Sequence, residues 1–186
     1  MQDSRLHLMI LASIFAILTA IGAQIRIPFP IVPLTLQTFF VLFSGMILGS
    51  RWGAISMFLY VMLGLIGLPF FAGGGGMQYI AHPTFGFIVS FIPAAWIAGR
   101  FTMAGRRYIH YITAAFVATG VIYIIGLLGL YLNLNYVIGK SVSVFQVFKI
   151  GMLPFIPGAL IKIATSALLA CKVISRIHRI RGYDSV

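Results

Sequence analysis

From Leu6 onward the chain is a succession of long apolar runs divided by short breaks, and between Asp3 and Asp184 no acidic residue interrupts them. That pattern leaves few solutions. A water-soluble core cannot account for a chain that is 61% hydrophobic and 8% charged with a mean hydropathy of +1.07, so most of these side chains face lipid. In lipid, backbone N–H and C=O groups must be satisfied within the segment, which makes each run a helix. The runs place six spans, at about 6 to 24, 34 to 49, 52 to 68, 83 to 101, 108 to 132 and 146 to 176. The expected fold is an all-α integral membrane protein, one domain over residues 1–186 built as a compact bundle of six transmembrane helices. The first run, Leu8 to Ala23, follows Arg5 and has the small residues of a secretory leader, but five further spans succeed it and it reads as a first span. The second run, Leu34 to Gly49, has about 24 Å of helix, so tilt, extension or local irregularity is expected there.

A net charge of +11 would suggest nucleic acid in a soluble chain. Here the basic residues punctuate apolar runs without forming an aromatic-interleaved patch, so they read as topology signals and no nucleic acid is expected. With six spans both termini share a side. That side collects Arg5, Arg51, Arg100, Arg106, Arg107, Lys172, Arg176, Arg179 and Arg181, which predicts cytoplasmic termini. Arg26, Lys140 and Lys149 fall on the other side, where the connections run from Gln24 to Pro33, Pro69 to His82 and about Asn133 to Phe145, Lys149 just beyond the last. The lone Cys171 excludes an intrachain disulfide, and His7, His82, His110 and His178 are scattered over separate segments, so no metal site is expected. An intramembrane enzyme would need a nucleophile and base, or paired acids, at membrane depth. Nothing here supplies them, so no catalytic residue is assigned.

The remaining cation is Lys162, inside the apolar stretch from Met152 to Ala170 with no acidic side chain to pair with. A charge at bilayer depth costs about 2.5 to 3.5 kcal/mol on insertion scales, so such residues usually face a polar cavity or a functional partner. An anionic ligand is one partner. The alternative is snorkelling to the nearer interface, from a Cα about 12 Å beyond a helix start at Pro154. Two outer connections add to the picture. Pro28, Pro30 and Pro33 deny the first a helix until about Leu34 and predict an extended, stiff segment. The second carries Gly73, Gly74, Gly75 and Gly76 flanked by Phe70, Phe71, Gln78 and Tyr79, which suits a moving cap over a small molecule. On the first helix, Ala12, Ala16 and Ala20 recur at spacing four and permit close approach of another helix, internal or from a partner.

Pro28-Phe-Pro-Ile-Val-Pro-Leu-Thr-Leu-Gln-Thr38, then Gly64-Leu-Ile-Gly-Leu-Pro-Phe-Phe-Ala-Gly-Gly74, then Pro83-Thr84 leading to Gly86-Phe87, resemble the BioY family, the biotin-binding S components of energy-coupling factor (ECF) transporters. The resemblance spans nearly the whole chain. It implies a multi-pass protein of the prokaryotic plasma membrane with a biotin site near the outer face, closed by the loops after helices one and three. It implies no enzymatic activity and no cofactor: ATP is hydrolysed by two ATPase subunits that act through a transmembrane coupling subunit, on which the stripe Ala12, Ala16 and Ala20 would dock. It places Lys162 in the ligand site; the other candidate ligand residues are the polar Gln37, Thr35, Gln78 and Tyr79, with Phe70, Phe71, Gly73 and Gly74 of the cap. Two departures stand out. The family's last helix carries Pro-Gly-Asp before its lysine, whereas this chain reads Pro157-Gly-Ala-Leu-Ile-Lys162, and His82 and Phe85 replace small residues around Pro-Thr. Ala159 can neither pair with Lys162 nor accept from a ureido N–H. An S component or stand-alone carrier for another small carboxylated molecule therefore stays open.

Overall fold

The apolar runs become helices, but the breaks between them carry more structure than their composition suggests. The computed structural model describes residues 2–103, 105 and 107–180, with side chains for 5–103, 105 and 107–176. Arg106, Arg181 and Asp184 therefore lie outside the described residues, as do the side chains of Asp3, His178 and Arg179. Helix α1 (Gln2–Gln24) leads into a small hairpin, β1 (Arg26–Ile27) and β2 (Leu34–Thr35), antiparallel with Arg26 opposite Thr35 and Ile27 opposite Leu34. The proline-rich connection is thus folded back on itself, not extended as a spacer. Its three prolines fall in the turn, outside the two-residue strands, where their missing N–H groups cost no ladder bond.

Helix α2 (Gln37–Ile66) begins later than Leu34 because Leu34 and Thr35 belong to the hairpin. It breaks at Gly49, where φ 79° and ψ 175° are accessible to glycine and essentially closed to other residues. The two halves double back there. In a straight helix residues 45 and 53 would be about 12 Å apart, yet a Cβ on Gly53 would sit 2.7 Å from the Gly45 Cα. The first half therefore has about 18 Å of helix, short of the roughly 30 Å of a bilayer's hydrocarbon core. Non-helical backbone at that level is tolerated only beside protein or a cavity.

Helix α3 (Phe85–Thr102) packs along this folded pair: a Cβ on Gly99 would lie 2.2 Å from Ser50 N, so Arg51 and Arg100 share one end of the molecule. Helix α4 (Tyr108–Leu132) meets α3 with Gly86 against Gly129 and ends in a wide turn over Asn133–Val137. The last predicted span, 146 to 176, is two helices. A reciprocal Ser143–Gln146 capping box starts α5 (Val144–Gly151), and Pro154 separates it from α6 (Ile156–Ile180), whose first turn holds Pro157. Five helical stretches among the described residues are long and apolar enough to cross a membrane: Arg5–Gln24, Gln37–Ile66, Phe85–Thr102, Tyr108–Val137 and Val144–Arg176.

The alanine stripe faces inward. Ala12, Ala16 and Ala20 are buried, and Ser56 in the second half of α2 donates to the Ala12 carbonyl at 2.7 Å. The close approach that small side chains permit is taken up inside the chain, so in this arrangement the stripe is not an open docking face. Outward α1 presents Ile10, Ile14, Ile17 and Ile21.

Candidate functional site

At the hairpin end, α2, α3, α4 and α6 splay around a cavity of about 740 Å³, counting its open mouth. Its walls are mainly apolar: Val32 and Leu34 from the hairpin, Leu42 from α2, Phe87 and Phe91 from α3, Ile122 from α4, and Phe155 just before α6. Phe155 is held edge-on by Phe29 of the hairpin turn, at 5.4 Å between ring centres. That lining suits a small organic molecule with a few polar groups.

Lys162 lines this cavity. Its ammonium donates at 2.8 Å to the Thr35 carbonyl and at 2.8 Å to Thr38 Oγ1. Both acceptors are neutral, and no carboxylate occurs among the described side chains. An ammonium has three donors, so one remains for a ligand. The hairpin explains why these acceptors are available: Thr35 ends β2 with its carbonyl free of the two-residue ladder, and Thr38 sits in the first turn of α2. The head group is anchored by protein over the cavity and does not reach along the stem for water. Ala159, one turn earlier on α6, also lines the cavity.

A second polar group runs from the cavity into the glycine loop. Thr35 Oγ1 donates to Gln37 Oε1 at 2.8 Å, Gln37 Nε2 donates to the Tyr60 hydroxyl, and that hydroxyl donates to the Phe70 carbonyl at 3.1 Å. Gln37 keeps one N–H and one lone pair uncommitted. Tyr60 is fully buried, with Phe70 stacked on it and Phe71 edge-on at 5.6 Å. A Cβ on Gly64 would lie 2.2 Å from the Phe71 ring, and one on Gly75 would lie 2.0 Å from the Leu68 carbonyl oxygen. Glycine is thus used here for close packing; the loop is a fitted plug locked by Gly76 N–H to Gly64 O at 2.7 Å.

The third group is Tyr79, His82 and Thr84. The Thr84 backbone N–H donates to His82 Nδ1 at 3.3 Å, which makes that nitrogen an acceptor, so the Thr84 hydroxyl at 2.8 Å donates to it as well. Tyr79 then donates to Thr84 Oγ1 at 3.1 Å, its ring stacked on the imidazole at 4.5 Å. Burial holds the His82 pKa below its ordinary value of 6.5. Tyr79 and Thr84 line the cavity.

Of the residues expected to hold a ligand, Lys162, Gln37, Thr35 and Tyr79 reach the cavity wall. Phe70, Phe71, Gly73, Gly74 and Gln78 do not. Phe71 is buried behind Tyr79, and Gln78 is exposed and donates to the Gly75 carbonyl at 2.7 Å. From that loop Ala72 lines the wall instead. Sequence reasoning missed Thr38, Thr84, Thr119, Tyr123, Phe87 and Phe91. Thr38 and Thr84 stand in two of the three motifs quoted above; Thr119 and Tyr123 have no local signal, being single polar residues in an apolar run.

This is the architecture of a membrane-embedded solute-capturing subunit, and known proteins share it. The BioY family model matches residues 1–179, and the chain belongs to the BioY family. A protein named "Probable biotin transporter BioY" from Lysinibacillus sphaericus is 39% identical over 173 residues, 91% of this chain and 87% of that one. The biotin transporter BioY of Thermotoga maritima is 36% identical, covering 89% of this chain and 94% of its own. The crystal structure of the S component for biotin from an ECF-type ABC transporter superimposes with a TM-score of 0.82 at 21% identity, covering 94% of both chains.

Proposed function

We propose that the protein is the biotin-capturing S component of an ECF-type uptake system of the prokaryotic cell membrane, a transport subunit and not an enzyme. The observation that carries this reading is the Lys162 ammonium, held over an apolar cavity by two neutral oxygens with no carboxylate among the described side chains. A carboxylated ligand supplies the missing charge, and the apolar walls take its rings and methylenes. Two features support six membrane crossings. The fold-back at Gly49 divides Gln37–Ile66 into two limbs, and α5 with α6 makes one crossing. Arg51 and Arg100 then share the side opposite the cavity, which by the positive-inside rule is cytoplasmic, and an even number of crossings puts both termini on one side with them. Transport energy comes from two ATPase subunits through a transmembrane coupling subunit, for which α1 offers its outward isoleucine face.

The test is the thermal stability of the detergent-solubilised protein with a vitamin panel. Biotin raises the melting point; thiamine and riboflavin, which carry no carboxylate, do not. Equal shifts from all three, or none from biotin, would sink the assignment. A second reading, a different small carboxylate, is kept by Ala159, which lines the cavity where the family has aspartate. A carboxylate that stabilises the protein more than biotin does would establish it.

A further inference from the structure

Among the described residues every buried helical Ser or Thr hydroxyl but one has a partner within the fold. Thr19 donates to the Phe15 carbonyl at 2.8 Å, Ser44 to Val41 at 2.9 Å, Ser56 to Ala12 at 2.7 Å, Ser90 to Phe87 at 2.5 Å and Ser166 to Ile163 at 3.2 Å. Donation to a carbonyl one turn back is the default for Ser and Thr in membrane helices. Thr119, midway along α4, declines it: its Oγ1 is buried and has no partner, although the residue is only 9% exposed. The one other such atom among the described residues, Asn133 Oδ1, is outside the cavity lining, and its amide is committed to the Ala81 carbonyl at 2.7 Å. Thr119 lines the cavity. An unpaired hydroxyl away from water is costly, and a rotamer change of a residue in the cavity wall is enough to offer it to a visiting molecule.

We propose that Thr119 is a specificity-determining ligand contact, its hydroxyl exchanging a hydrogen bond with the neutral urea of a biotin-type ligand whose carboxylate lies at Lys162. This rests on the biotin reading above. The chemistry divides cleanly between two helices. Lys162 on α6 has only donors and a charge, which select an anion; Thr119 on α4 both donates and accepts, which matches a cyclic urea with its C=O and N–H groups. Ala159 leaves the α6 side of the cavity without a neutral polar partner one turn from the lysine, so the α4 hydroxyl takes on that recognition.

Calorimetric titration of purified wild type, Thr119→Val and Thr119→Ser separates the outcomes. Valine keeps the shape and removes the hydroxyl, so biotin binding is expected to weaken about tenfold while the melting point of the empty protein stays level or rises. Serine keeps affinity within about threefold of wild type. Desthiobiotin, which retains the urea and carboxylate and lacks the thioether ring, loses affinity by the same factor as biotin. Valine binding biotin as wild type does, or losing affinity only together with a fall in the empty protein's melting point, overturns the contact. A loss for biotin alone moves it from the urea to the sulfur and overturns the urea assignment. Wild type that ignores biotin overturns the functional reading itself.

Discussion

Replacing Lys162 by Met removes the charge and both of its bonds while keeping a long apolar side chain. In the empty protein the terms oppose each other. The bonds to Thr35 O and Thr38 Oγ1, each 2.8 Å and each from a charged donor, contribute about 1.5 to 3 kcal/mol apiece, and freeing a part-buried ammonium from its desolvation recovers at least as much. The melting point is therefore expected to hold or rise, and a drop of more than about 4 °C, near 1 kcal/mol for a chain of this size, would show that Lys162 is chiefly a structural clamp on the hairpin. With ligand present the terms no longer oppose. A charge-assisted bond to a carboxylate contributes about 1.5 to 3 kcal/mol, so Lys162→Met should bind biotin roughly 10- to 150-fold more weakly. The methyl ester of biotin tests the same contact from the other side. Titrating both ligands against both proteins closes a cycle: if lysine and carboxylate touch, each change alone weakens binding and the two together are no worse than one. Losses that simply add, with a coupling under about 0.5 kcal/mol, would refute the contact and leave the lysine holding only Thr35 and Thr38.

The other expected outcomes concern the frame around the cavity. Gly49→Ala adds a methyl that meets nothing within 4 Å, so any loss comes from the backbone; at φ 79° and ψ 175° it should cost about 1 to 3 kcal/mol in thermal unfolding, and an unchanged melting point would mean the fold-back relaxes freely. Ala16→Leu, at 1% exposure, should overpack the core by about 1 to 3 kcal/mol and weaken biotin binding in parallel, whereas intact binding with lost co-purification of a coupling subunit would restore the stripe as a docking face. His82 predicts acid sensitivity: because burial holds its pKa below 6.5, the unfolded chain takes up the proton first as pH falls, so stability is full above about 6.5 and declines below it. Unfolding measured between about pH 5 and 8 should slope for wild type and flatten for His82→Gln; equal slopes would place the titration elsewhere.

The membrane helices were legible because lipid allows one solution for a long apolar run, and the ends of α1, α3 and α4 fall close to the ends of their runs. What stayed hidden was decided by polar atoms at sites with no period. Hydropathy reads Leu34 as membrane and so as helix, yet the hairpin claims it, and that displacement is what exposes the Thr35 carbonyl to Lys162. The glycines of the outer loop read as freedom, whereas Gly75 packs against the Leu68 carbonyl and Gly74 and Gly76 hold left-handed backbone that fixes the turn. A stripe of alanines states only that two backbones approach closely, not whose backbones they are. Lys162 could be singled out because a charge in lipid needs a reason; Thr119 could not, because a threonine in lipid normally satisfies itself one turn back. Only the refusal of that bond, visible in three dimensions, sets it apart. For a membrane subunit of this kind the ligand chemistry is therefore written where the backbone leaves the helix and where a hydroxyl leaves its own helix unbonded, and neither departure alters the hydropathy from which the fold is read.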